Sequence, residues 1–286
     1  MTTLKYGWKL FVEQCCSKKC GVVVILLYFV NHLFLSGIKD FCCAVNCNIT
    51  PYLFPFLISY VYYQLIYTMI VLYYFSNVPF QGYSQMYQLI RLGNTRWALG
   101  HIFYIIFSSI FLVLITIGEG IIIMLPRVEV SADWGKVLHT LAVSNVVDSY
   151  GLYAIPYDNI FMNHYNVILG MEIAFVMSVS VTAFLGTLLF LTSLYWGRIV
   201  ALFIASIEIA LPIVSLNLEY RIMYKVILFA PVSWMNLVDY ERERMGFRIM
   251  PNMNYTFFML FAVILCFVGL IIYKTKRIEF HFMKEE

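Results

Sequence analysis

Three carboxylates lie where an apolar chain seldom carries any. Glu119, Glu172 and Glu208 fall inside long hydrophobic runs, and an ionisable group at that depth is costly unless it faces protein, water or a partner. They can line a polar path leading outward or bind a cationic group. Alternatively, Glu119, set within Gly118-Glu119-Gly120, and Glu172 reach the outer boundary and pair with residues such as Arg127. Glu208, near the middle of its run, is the one expected to carry function or an inter-subunit contact. Tyrosines form a second set: Tyr60, Tyr62, Tyr63, Tyr67, Tyr73 and Tyr74 crowd one run. Tyr60, Tyr63, Tyr67 and Tyr74 share a helical face, which suits a path lining and equally suits ordinary packing by amphipathic aromatics.

Other chemistry is sparse. There is no G-x-x-x-x-G-K-[ST], no H-E-x-x-H and no G-x-S-x-G, so nucleotide binding, zinc proteolysis of that type and nucleophile-elbow hydrolysis have no carrier. His32, His101, His139, His164 and His281 are scattered, and a lone histidine at a membrane boundary is expected to be interfacial. Seven cysteines show no zinc-finger spacing. Cys42, Cys43 and Cys47 are either free thiols near an interface or, facing an oxidising exterior, contain one bridged pair. No catalytic residue, metal site or cofactor is expected on this chain. A net charge of +3 is too small to point to nucleic acid.

The elements that must hold these groups follow from composition. Of 286 residues, 62% are hydrophobic and 12% charged, against about 45–50% and about 25% in soluble domains. Lipid must solvate the excess, so the fold class is an all-α polytopic membrane protein. Six apolar runs approach the roughly 20 residues needed to cross hydrocarbon: about 21–38, 51–78, 98–125, 167–195, 199–216 and 255–273. The fourth and fifth form a tight hairpin across Trp196-Gly197-Arg198. The six-helix domain thus covers 21–286. Residues 1–20 are not expected to be a signal peptide; Leu4, Trp8, Phe11, Val12 and Cys15 recur at helical spacing and predict an amphipathic helix in the membrane interface. Between spans, 131–143 is expected to be a short outer helix with Ser131 as its N-cap. Residues 222–250 are expected to give one or two short helices resting on the outer face or dipping into it.

Lysine and arginine set the orientation. With both termini inside, eleven basic residues fall on the inner side and eight on the outer. The inner set includes Lys18, Lys19, Arg91, Arg96, Arg198 and Lys274. The favoured arrangement is therefore six spans with cytoplasmic ends.

The segment 81–99, QGYSQMYQLIRLGNTRWAL, is a short basic interruption between two apolar runs and predicts a helix lying across the membrane surface. Its R-x-G-x-x-R-W ending between spans two and three resembles the membrane subunits of bacterial ABC-2-type transporters. ADWGKVLHTLA after span three, FAPVSWMNL before the last span and the basic ending from Tyr273 are similar too. The resemblance implies an ABC-2 permease-like fold in a bacterial plasma membrane, without its own ATPase. It implies a homodimer or heterodimer with a second permease, and an ABC-type ATPase subunit that binds ATP and Mg. It implies a coupling helix with Met86, Tyr87, Leu89, Ile90, Arg91 and Arg96 as contacts. A substrate path or dimer interface would hold Tyr63, Tyr67, Glu208, Glu119 and Glu172. The competing readings are a membrane immunity, binding or sensory protein without a motor, and an intramembrane enzyme.

Overall fold

The computed structural model describes residues 2–79, 91–143, 155–244 and 246–277. Among these, five helices are long and apolar enough to cross a membrane, so the chain is a multi-pass α-helical membrane protein. They are α2 (Lys18–Val45), α5 (Asn94–Met124), α8 (Val167–Trp196), α9 (Arg198–Leu216) and α11 (Met253–Arg277).

The run expected as the second span is not one helix. It divides into α3 (Phe54–Ser59) and α4 (Val61–Phe75), which meet at Tyr60 in extended geometry, ψ 118°. Fifteen residues of α4 rise about 22 Å, short of a roughly 30 Å hydrocarbon core, and α3 precedes it directly. A break at that depth requires partners for the freed backbone, and side chains supply them. Gln64 Nε2 donates to the Ile58 carbonyl at 2.8 Å. Ser59 Oγ donates to the Pro55 carbonyl and accepts from the backbone N–H groups of Leu237 and Val238, at 3.0 and 3.3 Å.

Helix ends gather at two poles. At one, Lys19 Nζ donates to Ser76 Oγ at 2.8 Å, Arg198 to Asn77 Oδ1 at 2.7 Å, and Asn94 Nδ2 to the Thr275 carbonyl at 3.1 Å. Lys274 lies over the Tyr195 ring, 4.8 Å from its centroid. This pole collects the start of α2, the end of α4, the start of α5, the α8–α9 turn at Gly197 (φ +83°) and the end of α11. At the opposite pole, Arg127 donates to Asn46 Oδ1 at 2.7 Å, and Ile49 pairs with Val128.

The N-terminal helix α1 (Thr3–Cys15) lies along α5 at the basic pole. Its buried residues are Tyr6, Gly7 and Leu10, beside the stripe expected to face the membrane interface. Leu4, Trp8 and Val12 of that stripe are exposed, so α1 has one apolar face on protein and another free for lipid. Helix α8 is the most enclosed span, packing on α3, α4, α5, α9 and α11. Gly186 permits the close approach of α5, because a Cβ there would meet Ile105 at 2.6 Å.

The pole opposite the basic one is capped by short elements: α6 (Lys136–Val143), α7 (Asn159–His164), α10 (Tyr220–Leu228) and a hairpin of β1 (Glu243–Arg244) with β2 (Phe247–Arg248). Ser131 does not cap α6. The helix starts five residues later, after Gly135 (φ +88°), because Thr50 Oγ1 bonds the Trp134 carbonyl and Trp134 Nε1 donates to the Tyr165 carbonyl. That pair turns Trp134 into the core ahead of the helix. After α10 the chain enters the bundle: the turns Pro231–Met235 and Val238–Tyr240 place Trp234, Leu237 and Val238 in full burial. The expected dipping segment is therefore present as 3₁₀ turns.

Candidate functional site

A buried polar chain crosses the bundle between α2, α4, α5 and α8. Tyr63 Oη donates to Asn31 Oδ1 at 2.7 Å, and Asn31 Nδ2 donates to Glu119 Oε2 at 2.9 Å and reaches the Thr116 carbonyl at 3.4 Å. Tyr67 stacks beside Tyr63, centroids 6.3 Å apart and planes at 11°, and its hydroxyl lies 3.2 Å from Thr182 Oγ1. Helical spacing puts Tyr63 and Tyr67 one turn apart on the face of α4 turned to the core. Every member is over nine-tenths buried, and Glu119 Oε1 has no hydrogen-bond partner among the described residues. Such a network can hold a polar ligand atom or fix the register of four helices.

The expected groups thus separate. Tyr63, Tyr67 and Glu119 come together, buried inside one chain. Glu119 bonds Asn31 and not Arg127, whose guanidinium is taken by Asn46. Tyr74 is also interior, bonded to Ser108 at 3.3 Å, whereas Tyr62 and Tyr73 are exposed. Glu172 lies on the exposed side of α8.

Glu208 has a setting of its own. It lines an apolar groove of about 330 Å³ between α8, α9, α11 and the segment after α10. It is ten residues into α9, about 15 Å from the basic pole, near mid-membrane. Its carboxylate has no hydrogen bond or ion pair among the described residues.

Met86, Tyr87, Leu89 and Ile90 lie outside the described residues. Arg91 is helical and exposed; Gly93 (φ +79°) then separates it from α5, where Arg96 is exposed and Trp97 buried. His101, expected at an interface, is fully buried against Trp97 and Phe190, with ring centroids at 4.7 and 5.7 Å. The close packing of α1 over α5 encloses it.

The cap at the opposite pole holds an ionic cluster. Arg242 pairs with Asp158 and, at 3.3 Å, with Asp239. Asp158 also caps α7 through Ile160 N–H at 2.7 Å. Tyr165 donates to Glu241 at 3.0 Å, and burial, reinforced by that carboxylate, pushes its hydroxyl up to about 12. Burial raises Asp239 against the pull of Arg242. All seven cysteines are free.

No protein-family model, curated protein or solved structure matches the chain. The residue that sequence reasoning missed is Asn31, which joins Tyr63 to Glu119. Its signal was available: an amide in the middle of the largely apolar first run. The aromatic lining of the Glu208 groove had no such signal, because its rings come from three separate segments.

Proposed function

We propose that the chain is the membrane-spanning subunit of an ATP-driven exporter in a bacterial plasma membrane. It crosses the bilayer six times, with α3 and α4 forming one crossing and both termini cytoplasmic. It works as a dimer with separate ATPase subunits that bind ATP and Mg. Beside the sequence resemblance, one observation carries this reading: both stems of the 80–90 segment are fastened to the bundle at the basic pole. Ser76 and Asn77 on the entering stem take bonds from Lys19 of α2 and Arg198 of α9. Asn94 on the leaving stem bonds the end of α11. A load on the segment would therefore reach three spans together, as rigid-body coupling between a motor and a bundle requires.

Mechanistically, closure of the ATPase pair would push the segment, and the α8–α9 hairpin and α11 would shift with it. The broken passage at Tyr60 supplies a point where α4 can move against α3 without breaking helical bonds. Affinity purification of the full chain from its native membrane tests the reading. A co-purifying ATPase whose hydrolysis responds to the chain is the expected result; a chain that never retains an ATPase is a binding or sensory protein instead.

A further inference from the structure

We propose that the groove beside Glu208 binds a lipophilic organic cation, a molecule with one positive charge on an aromatic or otherwise apolar body. That such a cation is the exported cargo rests on the exporter reading; the binding does not. The groove, about 330 Å³, falls within the range of about 300–1,000 Å³ typical of small-molecule sites. Its walls are apolar apart from one group. Phe184 and Phe267 stack at 5.8 Å and 25°, and Phe229 and Trp234 complete the aromatic lining. Trp234 Nε1–H, the one other polar side-chain group on the wall, is committed to the Ile227 carbonyl at 2.8 Å. The Glu208 carboxylate is thus the single charge, and no lysine or arginine of the described residues pairs with it.

This donor set selects by chemistry. An anion would meet a like charge and no free N–H. A neutral apolar body would leave the carboxylate stripped of water beside it. A cation offsets that carboxylate, and aromatic walls add the attraction of ring faces for positive charge. Ile207 and Phe229 at the rim are 50% and 73% exposed, so the groove opens on the flank of the bundle, where a ligand dissolved in the bilayer can enter.

The test is equilibrium dialysis of the purified full chain in uncharged detergent against tetraphenylphosphonium and its near-isosteric anion tetraphenylborate. Saturable phosphonium binding near one per chain is expected, with only non-saturable uptake of the borate. Glu208→Gln should weaken phosphonium binding by about tenfold or more, as for loss of one partner of a desolvated charge pair. Phe267→Ala, which keeps the charge, should weaken it several-fold; Glu13→Gln, on the exposed side of α1, should not change it. Equal binding of both ions, phosphonium binding indifferent to Glu208→Gln, or no saturable binding would each overturn the proposal. So would a change in subunit assembly on Glu208→Gln without phosphonium binding, which would assign the groove to a second copy. Phosphonium binding by a chain that retains no ATPase would defeat the exporter reading alone, and an ATPase-bound chain without phosphonium binding would defeat this one alone.

Discussion

Tyr63 and Asn31 are 32 residues apart in sequence, and the phenol of one donates to the amide of the other at 2.7 Å in full burial. Asn31 spends its own N–H groups on Glu119 and the Thr116 carbonyl. The amide is therefore the hinge of the network, accepting on one side and donating on the other. Losing it strands two groups, whereas losing either end strands one.

Tyr63→Phe should lower stability by about 1 kcal/mol, in line with buried membrane hydrogen bonds, which average about 0.6 and reach about 1.7 kcal/mol. Asn31→Leu should cost more, about 2–3 kcal/mol, because both the Tyr63 hydroxyl and the Glu119 carboxyl lose their partner. Thermal unfolding of the detergent-purified variants measures both, and a Tyr63→Phe/Asn31→Leu double variant should be less damaged than the sum. Strict additivity would show that the bond contributes nothing.

The N-terminal helix depends on a glycine contact. A Cβ at Gly7 would lie 2.7 Å from Phe103 Cβ and 2.8 Å from the Gly100 carbonyl oxygen. Neither can swing aside, so Gly7→Ala should lift α1 from α5 at a cost of about 1–3 kcal/mol, the usual range for overpacking. Gly21→Ala, with nothing within 4 Å of the new methyl, should be neutral or stabilise by up to about 1 kcal/mol. Hydrogen exchange over residues 3–15 should rise in the first variant and stay unchanged in the second.

In the cap opposite the basic pole, Asp158→Asn should keep the cap on α7 but lose the ion pair. Arg242 is 37% exposed and retains Asp239, so water can take up its charge. The loss should be about 1 kcal/mol, not the 3–5 kcal/mol of a fully buried pair. Asp158→Ala should add about 1 kcal/mol for the missing cap. Chemical or thermal unfolding separates the two, and equal losses would show that the cap is inert.

Cys16 and Cys47 are both exposed, near opposite poles. In intact cells, a variant keeping only Cys47 should react with an impermeant thiol reagent, and one keeping only Cys16 should react only after permeabilisation. The reverse pattern would invert the proposed orientation.

On the exporter reading, Arg91→Glu with Arg96→Glu should leave the chain inserted and normally folded while reducing ATPase co-purification by about tenfold, as expected when rim charges facing a partner are reversed. Quantitative pull-down checks this. Retention at the wild-type level would remove these arginines from the docking surface.

Run length and charge placement carry most of what the lipid dictates. Spans near 167–195 and 199–216 needed only apolar length and the glycine between them, and both end within a residue of expectation. The gathering of Lys19, Arg198 and Lys274 at one pole also follows from their positions at run ends. The break at Tyr60 was hidden because Tyr, Val and Ile are as apolar across it as beside it. Only Ser59, Gln64 and the backbone of Leu237 and Val238, brought from 178 residues away, make it tolerable. The same reason hid the partners of Glu119 and the protein-facing side of α1. In lipid, residues facing the membrane and residues facing the core are equally apolar, so periodicity cannot tell inside from outside. The sequence by itself determined that this chain must cross a membrane as helices and which ends carry positive charge. Tertiary packing alone decided that Tyr63, Asn31 and Glu119 form one buried chain while Glu208 stands apart in an aromatic groove, because those contacts depend on how helices rotate against one another.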